Sequence, residues 1–478
     1  MMKNLISKIS IFLSTIVYII FFYFLNKYSI LPVKYRFIVL GLIFLLIFGF
    51  SLLIFKRKKA GKPIKAFFII VLLFVSAVEG LFISYASTSI QTVQKINDKK
   101  EVIKTKMSFV VLKESPIETL DDLNENQVAI AKQVDKENVK QALKKFKKEN
   151  GNDLNVEDLG DYLTLGNSLI NGNVQAVLLN EGFREMLNDN IEGFSQKTRV
   201  LKSYSVKGDQ KLNQNNEVEK DQSFNVYISG IDTYGDLATV SRSDVNLIVS
   251  VNPKKGKILI TTIPRDTYVN IAGMGEYAND KLTHAGLFGV DTSIKTLENF
   301  LDINIDYYAK VNFTTLIQLI DLLGGVEVEN PVAFETNGGK YFPQGTIHMD
   351  GDMALAYSRE RYHLAEGDFD RGKNQVRVMT GIIKKLLSTE TLLNFNSIAE
   401  VALDSVNTNM PYDKMIELVN GQIDNAKDWK IKSQAVTGTS EPGLPSYLMP
   451  GSNLYMMRAD EESIDQVHDG ILKNNKNK

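Results

Sequence analysis

The sequence predicts an α/β (α+β) chain in three parts: a three-helix membrane region over 1–90, a small α/β domain over 107–206, and a larger α/β domain over 224–478. Three observations predict it. Long uncharged apolar runs fill the first hundred residues. Beyond them, short strand-like runs alternate with amphipathic helical ones. A polar stretch, Ser203–Ser223, then separates two such alternating regions.

Ile9–Leu25, Phe37–Phe55 and Ala66–Ile83 each have the length and composition to cross a bilayer. Lys56-Arg57-Lys58-Lys59, Lys62 and Lys65 make the loop between the second and third runs strongly basic, so that loop is expected to be cytoplasmic. The first loop carries fewer cations, Lys27, Lys34 and Arg36. Three crossings then leave everything after about Ser84 outside the cell. Glu79, near the outer end of the third run, reads as a side chain that snorkels to the interface rather than a working intramembrane charge. Two further spans after the first run argue against a cleaved signal peptide.

Composition excludes several classes. There is no cysteine, which removes disulfides and sulfur-rich zinc sites. The four histidines, His284, His348, His363 and His468, show no metal-ligand spacing. A formal net charge of −1 does not suit a general nucleic-acid binder. No P-loop is present, and Ala272–Ala278 fits a dinucleotide pattern only loosely, without the strand and helix that pattern needs.

After a polar connector, Gln91–Lys106, the small domain offers strands at Ser108–Leu112, Val128–Ala131, Ala176–Leu179 and Arg199–Val206. Helices fall at Val134–Lys148 and Leu163–Asn171. It holds no carboxylate pair, nucleophile triad or phosphate loop, and reads as accessory.

In the larger domain a strand, Phe224–Ser229, runs into Gly230-Ile231-Asp232. Val245–Val251 and Lys257–Ile263 are joined by a hairpin at Asn252–Gly256, and the second of them ends in Pro264-Arg265-Asp266. If these three strands are neighbours, Asp232, Arg242, Asp244 and Arg265 share one edge of a sheet, where α/β proteins place their sites. Further on, Arg359-Glu360-Arg361 is read as a strand that aims two arginines at one spot. A helix over Arg371–Leu387 puts Arg371 and Gln375 one turn apart on one face. Converging guanidinium groups suit a polyanion such as phosphate, and aspartates supply hard oxygen ligands for Mg²⁺. A surface ion-pair cluster with Glu360, Glu366, Asp368 and Asp370 fits the same spacing.

Phe313–Leu323 is a strongly apolar helix that stops at Gly324-Gly325, and Leu287, Phe288, Ile294, Leu297, Phe300 and Leu301 add a second apolar face. Core packing and a slot for a long hydrocarbon both account for them. Gly438–Gly451 reads as a loop, Leu454–Met457 as a short strand and the remainder as a polar tail.

These residues carry a resemblance to the LytR–CpsA–Psr family. The matching segments are Gly230-Ile231-Asp232, Ser241-Arg242-Ser243-Asp244, Ile263-Pro264-Arg265-Asp266, Lys281-Leu282-Thr283-His284-Ala285 and Leu323-Gly324-Gly325-Val326. Met353–Arg359 with Arg361, and Asp368-Phe369-Asp370-Arg371 with Gln375, complete the series. The resemblance covers Phe224 to Leu387 in order. The three spans and the small domain resemble the capsule-associated branch. Asn374 departs from the family, where many members carry a further arginine.

The resemblance implies a central mixed β-sheet flanked by helices. It also implies an enzyme that moves a glycan polymer, capsular polysaccharide in this branch, from a polyprenyl diphosphate carrier to peptidoglycan. The acceptor would be the 6-hydroxyl of N-acetylmuramic acid. Carried over by position, Asp232 and Asp244 would hold Mg²⁺. Arg242, Arg265, Arg359 and Arg371 would grip the diphosphate, assisted by Arg361 and Gln375. Arg265 and Arg371 would act catalytically with Asp368, as a general base or as the group that orients Arg371. Lys281 would sit near the head group or on the surface. A membrane protein of a Gram-positive bacterium is implied, with capsule-assembly proteins as candidate partners and no nucleic acid. A polyprenyl-phosphate-binding regulator and a lipid-diphosphate phosphatase are alternatives of other classes.

Overall fold

The computed structural model describes residues 2–28, 31–56, 62–98, 104–207, 218–231, 241–393, 398 and 406–477. Asp232 therefore lies outside the described residues, as do 57–61 of the basic loop and 208–217 of the expected linker. The chain forms two compact units. One holds Met1–Lys99 with Lys384–Asp404 and Met410–Asp428; the other holds Lys100–Ile383, Ser405–Asn409 and Trp429–Lys478. The stretch expected as one domain, 224–478, thus contributes to both.

In the first unit, helices Met2–Tyr28, Val33–Lys56 and Lys62–Asp98 include three spans long and apolar enough to cross a membrane, Ile6–Tyr28, Val33–Leu53 and Pro63–Ser84. The third helix continues through the first half of the expected connector, to Asp98. Glu79 does not behave as an interface residue. It is 3% exposed, and neither carboxyl oxygen finds a hydrogen-bond partner among the described residues. One turn earlier Ser76 donates to Ser14 at 2.9 Å, and Tyr18, near the middle of the span Ile6–Tyr28, lies within electrostatic reach. The carboxyl is buried toward the first helix instead. Since an unpaired buried polar group costs about 1–3 kcal/mol, Glu79→Leu is expected to leave the detergent-solubilised protein at least as stable. A lowered unfolding midpoint would show that the carboxyl has a partner.

The second unit begins with the small domain. Its five strands, Lys104–Leu112, Val128–Ile130, Val156–Asp158, Ala176–Asn180 and Thr198–Lys207, form one sheet in the order third, second, fourth, first, fifth. Val156–Asp158 is a strand that its mixed composition concealed. Alternate residues of the first strand fill two cores. Met107, Phe109 and Val111 pack against Phe146 of helix Lys132–Asn150. Val110 faces Tyr162, Leu165 and Phe183.

The larger domain is built on a mixed six-stranded sheet in the order Asn407–Thr408, Tyr307–Val311, Phe224–Ile231, Ser243–Asn252, Lys257–Thr262, Lys430–Ala435. The three expected strands are indeed neighbours, antiparallel in succession. One core cluster joins Tyr227 and Ile248 of the sheet to Ile294, Leu297 and Leu301 of helix Val290–Leu301. That second apolar helix face is therefore core. Val467 and Ile471 of helix Glu461–Asn475 complete the same cluster, so the expected polar tail is an amphipathic helix.

Candidate functional site

Ile231 ends the first strand of the sheet opposite Ser243, and the strand Lys257–Thr262 finishes at the same end. Asp244 and Arg265 consequently meet: Arg265 Nη1 lies 3.2 Å from Asp244 Oδ2. Arg265 Nε is 3.6 Å from Asp266 Oδ2 and 3.8 Å from Asp368 Oδ2. Asp368 opens helix Asp368–Leu386, one turn earlier than expected, where a carboxylate suits the helix N-terminus. It accepts from Arg371 Nη2 at 2.9 Å, and Arg361 Nη1 is 3.8 Å from its other oxygen.

Taken together, burial and neighbouring charges favour the ionised forms of Asp244 and Arg265 but not that of Arg371. Burial opposes ionisation of Asp244, but Arg265, Arg242, the Thr283 hydroxyl and Arg371 outweigh it and hold the carboxyl below the usual aspartate range. Burial also works against the Arg265 charge, and Asp244, Asp266 and Asp368 more than restore it. Arg371 fares worse. Burial, then repulsion by Arg265, brings its guanidinium below the ordinary arginine value despite Asp368 and Asp244. Arg265 Nε is buried and makes no hydrogen bond among the described residues. A buried donor without an acceptor costs about 1–3 kcal/mol, which an anionic ligand oxygen would relieve. Asp244, Arg265, Asp368, Arg371 and Gln375 line one cavity of ≈ 530 Å³, together with Ile263, Val376, Tyr455 and Met457.

A model of the LytR–CpsA–Psr family matches residues 190–471, more than half of the chain. The chain belongs to the LytR–CpsA–Psr family. The polyisoprenyl-teichoic acid–peptidoglycan teichoic acid transferase TagU of Bacillus cereus is 38% identical over 224 residues, 46% of this chain and 72% of that protein. TagU of Enterococcus faecalis is 34% identical over 260 residues, 54% and 80% respectively. The crystal structure of B. subtilis TagV is similar at 29% identity and a TM-score of 0.47, covering 54% of this chain and 98% of that one. A DNA polymerase processivity factor model matches residues 56–179, too little of the chain to place it in that family.

Within the LytR–CpsA–Psr domain, the structure brings Asp244, Arg265, Arg361, Asp368, Arg371 and Gln375 together. The other expected residues are engaged by partners of their own. Arg359 is not in a strand: it closes helix Gly351–Arg359, which Asp350 caps by accepting from Met353 N. Its guanidinium lies 4.3 Å over the Phe313 ring. Lys281 is committed to Asp266 at 2.8 Å, which neutralises a charge expected near the head group. Arg242 donates to Asp189 of the small domain at 2.7 Å. Asn374, where the family often has arginine, is buried and donates to the Tyr357 carbonyl, so it serves helix packing.

The motifs gave no role to the residues that fix these groups. Thr283 donates through its hydroxyl to Asp244 at 2.9 Å and through its amide to the Arg265 carbonyl at 2.9 Å. One side chain thereby ties both strand ends. Gly286 follows: a Cβ there would lie 2.7 Å from Ser241 O and Ser243 N, so only glycine lets the Arg242–Asp244 segment sit this close. Asp280, fully buried, accepts from Ser446 and from Leu448 N and contacts His284 Nδ1 at 2.7 Å, anchoring the loop Gly438–Gly451. Thr283→Val keeps shape and loses a hydrogen bond to a charged group. It is expected to cost about 1.5–3 kcal/mol in denaturant unfolding and to weaken anion binding. Unchanged values would detach Thr283 from Asp244.

Proposed function

We propose that this chain is a membrane-anchored enzyme that transfers a glycan polymer from a polyprenyl diphosphate carrier to peptidoglycan. The observation that carries the reading is the convergence of Arg265, Arg361 and Arg371 on the Asp368 carboxylate, with a buried Arg265 Nε–H that makes no hydrogen bond among the described residues. The names of its relatives support the reaction class. Basic residues between the second and third spans support a topology with this domain outside the cell.

In such a transfer the acceptor hydroxyl oxygen attacks the phosphorus next to the sugar and gives up its proton to solvent or to the Asp368 carboxylate. The phosphoanhydride bond breaks, and polyprenyl phosphate leaves with the electron pair. Charge develops on phosphate oxygens, where fixed guanidinium donors stabilise it without reorganisation. Arg265 and Arg371 take that role. Asp368, already gripping three guanidinium groups, orients them. Mg²⁺ would rest on Asp244 and Asp232 and add charge neutralisation. Asp244 is ionised and offers hard oxygens, which suits Mg²⁺. No group of three acidic or histidine side chains converges among the described residues, so phosphate oxygens and water would complete the sphere.

Capsular polysaccharide is the polymer we favour, on the three-span and small-domain arrangement; teichoic acid is the alternative that the relatives' names favour. Full-length protein in liposomes, given peptidoglycan, Mg²⁺ and either carrier-linked polymer, should attach capsular glycan covalently. Attachment of teichoic acid alone would reassign the polymer. Carrier binding without attachment of either would make the protein a regulator.

A further inference from the structure

The small domain is joined to the larger one by a shared core. Leu165, Leu169, Met186 and Leu187 from its helices Tyr162–Ile170 and Arg184–Asn190 lie in one buried cluster with Leu287, Leu448 and Met449. Those three belong to the site's supports: Leu287 directly follows Gly286, and Leu448 donates to Asp280. Against this fixed backing stands one polar contact. Asp189, in the last turn of Arg184–Asn190, accepts from Arg242 Nη1 at 2.7 Å. Arg242 also acts on Asp244 electrostatically, so one guanidinium serves a carboxylate of each domain. The family match begins at residue 190, which places Asp189 just outside it.

A guanidinium has five N–H donors in a planar fork, so an arginine held along one edge still offers the other to a phosphate. A long side chain fixed in advance loses less freedom on binding. We propose that Asp189 is a positioning residue for Arg242, through which the small domain completes the anion site of the larger domain. This rests on the reading that the arginine cluster binds a diphosphate. The arrangement gives the small domain a task that its own lack of reactive groups does not suggest. It sets how firmly the first arginine of the site is aimed.

The test is binding of farnesyl diphosphate to the full-length protein in detergent. Asp189 is 54% exposed and Arg242 21%, so solvent weakens the pair. Asp189→Ala is expected to weaken binding about two- to five-fold. Asp189→Asn, which keeps an acceptor oxygen, should stay within about two-fold of wild type. The double variant Asp189→Ala, Arg242→Ala should bind no worse than Arg242→Ala alone, because both remove one function. Unfolding midpoints are read alongside, and if Asp189→Ala lowers the midpoint, the double variant is compared with Arg242→Ala at matched folded fraction. Wild-type or tighter binding by Asp189→Ala overturns the proposal, as do losses that multiply in the double variant. Failure of the wild-type chain to bind any diphosphate overturns the underlying reading instead.

Discussion

Replacing Arg265 by alanine is expected to lower polymer transfer by about 10²–10³-fold, the loss typical of removing one fixed donor from a developing oxyanion. Stability complicates that variant. Arg265 faces Asp244, Asp266 and Asp368, and its removal leaves buried Asp244 without its nearest cation. Breaking a buried pair by deleting one partner costs about 3–5 kcal/mol. Alanine therefore confounds folding with catalysis. Arg265→Lys keeps the charge beside Asp244 but loses the planar fork, so it should fold and still transfer poorly. Asp244→Asn removes the metal and arginine partner while keeping an oxygen for Thr283. Both variants should unfold close to wild type by denaturant titration while covalent attachment of glycan to peptidoglycan falls. Wild-type turnover in Arg265→Lys would remove Arg265 from the reaction.

How much of this was legible in the sequence depends on range. The spans, the strands from Phe224 to Thr262 and the capped apolar helix are local patterns, and each declares itself within a dozen residues. Asn312 and Thr315 cap one another at the start of Phe313–Leu322, as the sequence there allows. Arg359 shows where local reading erred. Spacing of two between arginines suggested a strand, but Asp350 caps a run, Met353-Ala354-Leu355-Ala356, made of good helix formers. The C-terminal helix hid its signal in charge: Ser463, Val467 and Ile471, four residues apart, form its buried face. Partners were illegible for a different reason. Nothing local in Lys281 points to Asp266, and nothing in Arg242 points to Asp189, 53 positions away. Side-chain identity suggested which groups could bind anions; only the fold told which of them an internal carboxylate had already claimed.

The other large effect concerns the carrier's hydrocarbon. Helix Phe313–Leu322 buries Thr315 and Ile320, yet Phe313, Leu316, Ile317, Leu319 and Leu322 are only half-buried. The same holds on one face of the sheet. Ile228 and Gly230 share that face with Val245, Ala309 and Val311 through the strand register, and all four side chains are half-covered. Val376, Met379 and Ile383 of the arginine helix are likewise half-buried. The prenyl chain of the proposed carrier would cover this half-buried aliphatic surface. Arg359 over the Phe313 ring places a cation where the apolar helix begins, which suits the junction of chain and diphosphate. Burying a five-carbon prenyl unit contributes roughly 3–4 kcal/mol at about 0.8 kcal/mol per CH₂. Leu319→Asp, or Leu316→Trp to fill the space, should therefore weaken a long-chain polyprenyl diphosphate by a hundred-fold or about that, while farnesyl diphosphate loses far less. The ratio of the two dissociation constants is the informative quantity, because a misfolded variant would lose both. A ratio that stays at the wild-type value would place the hydrocarbon elsewhere and return this helix to ordinary packing.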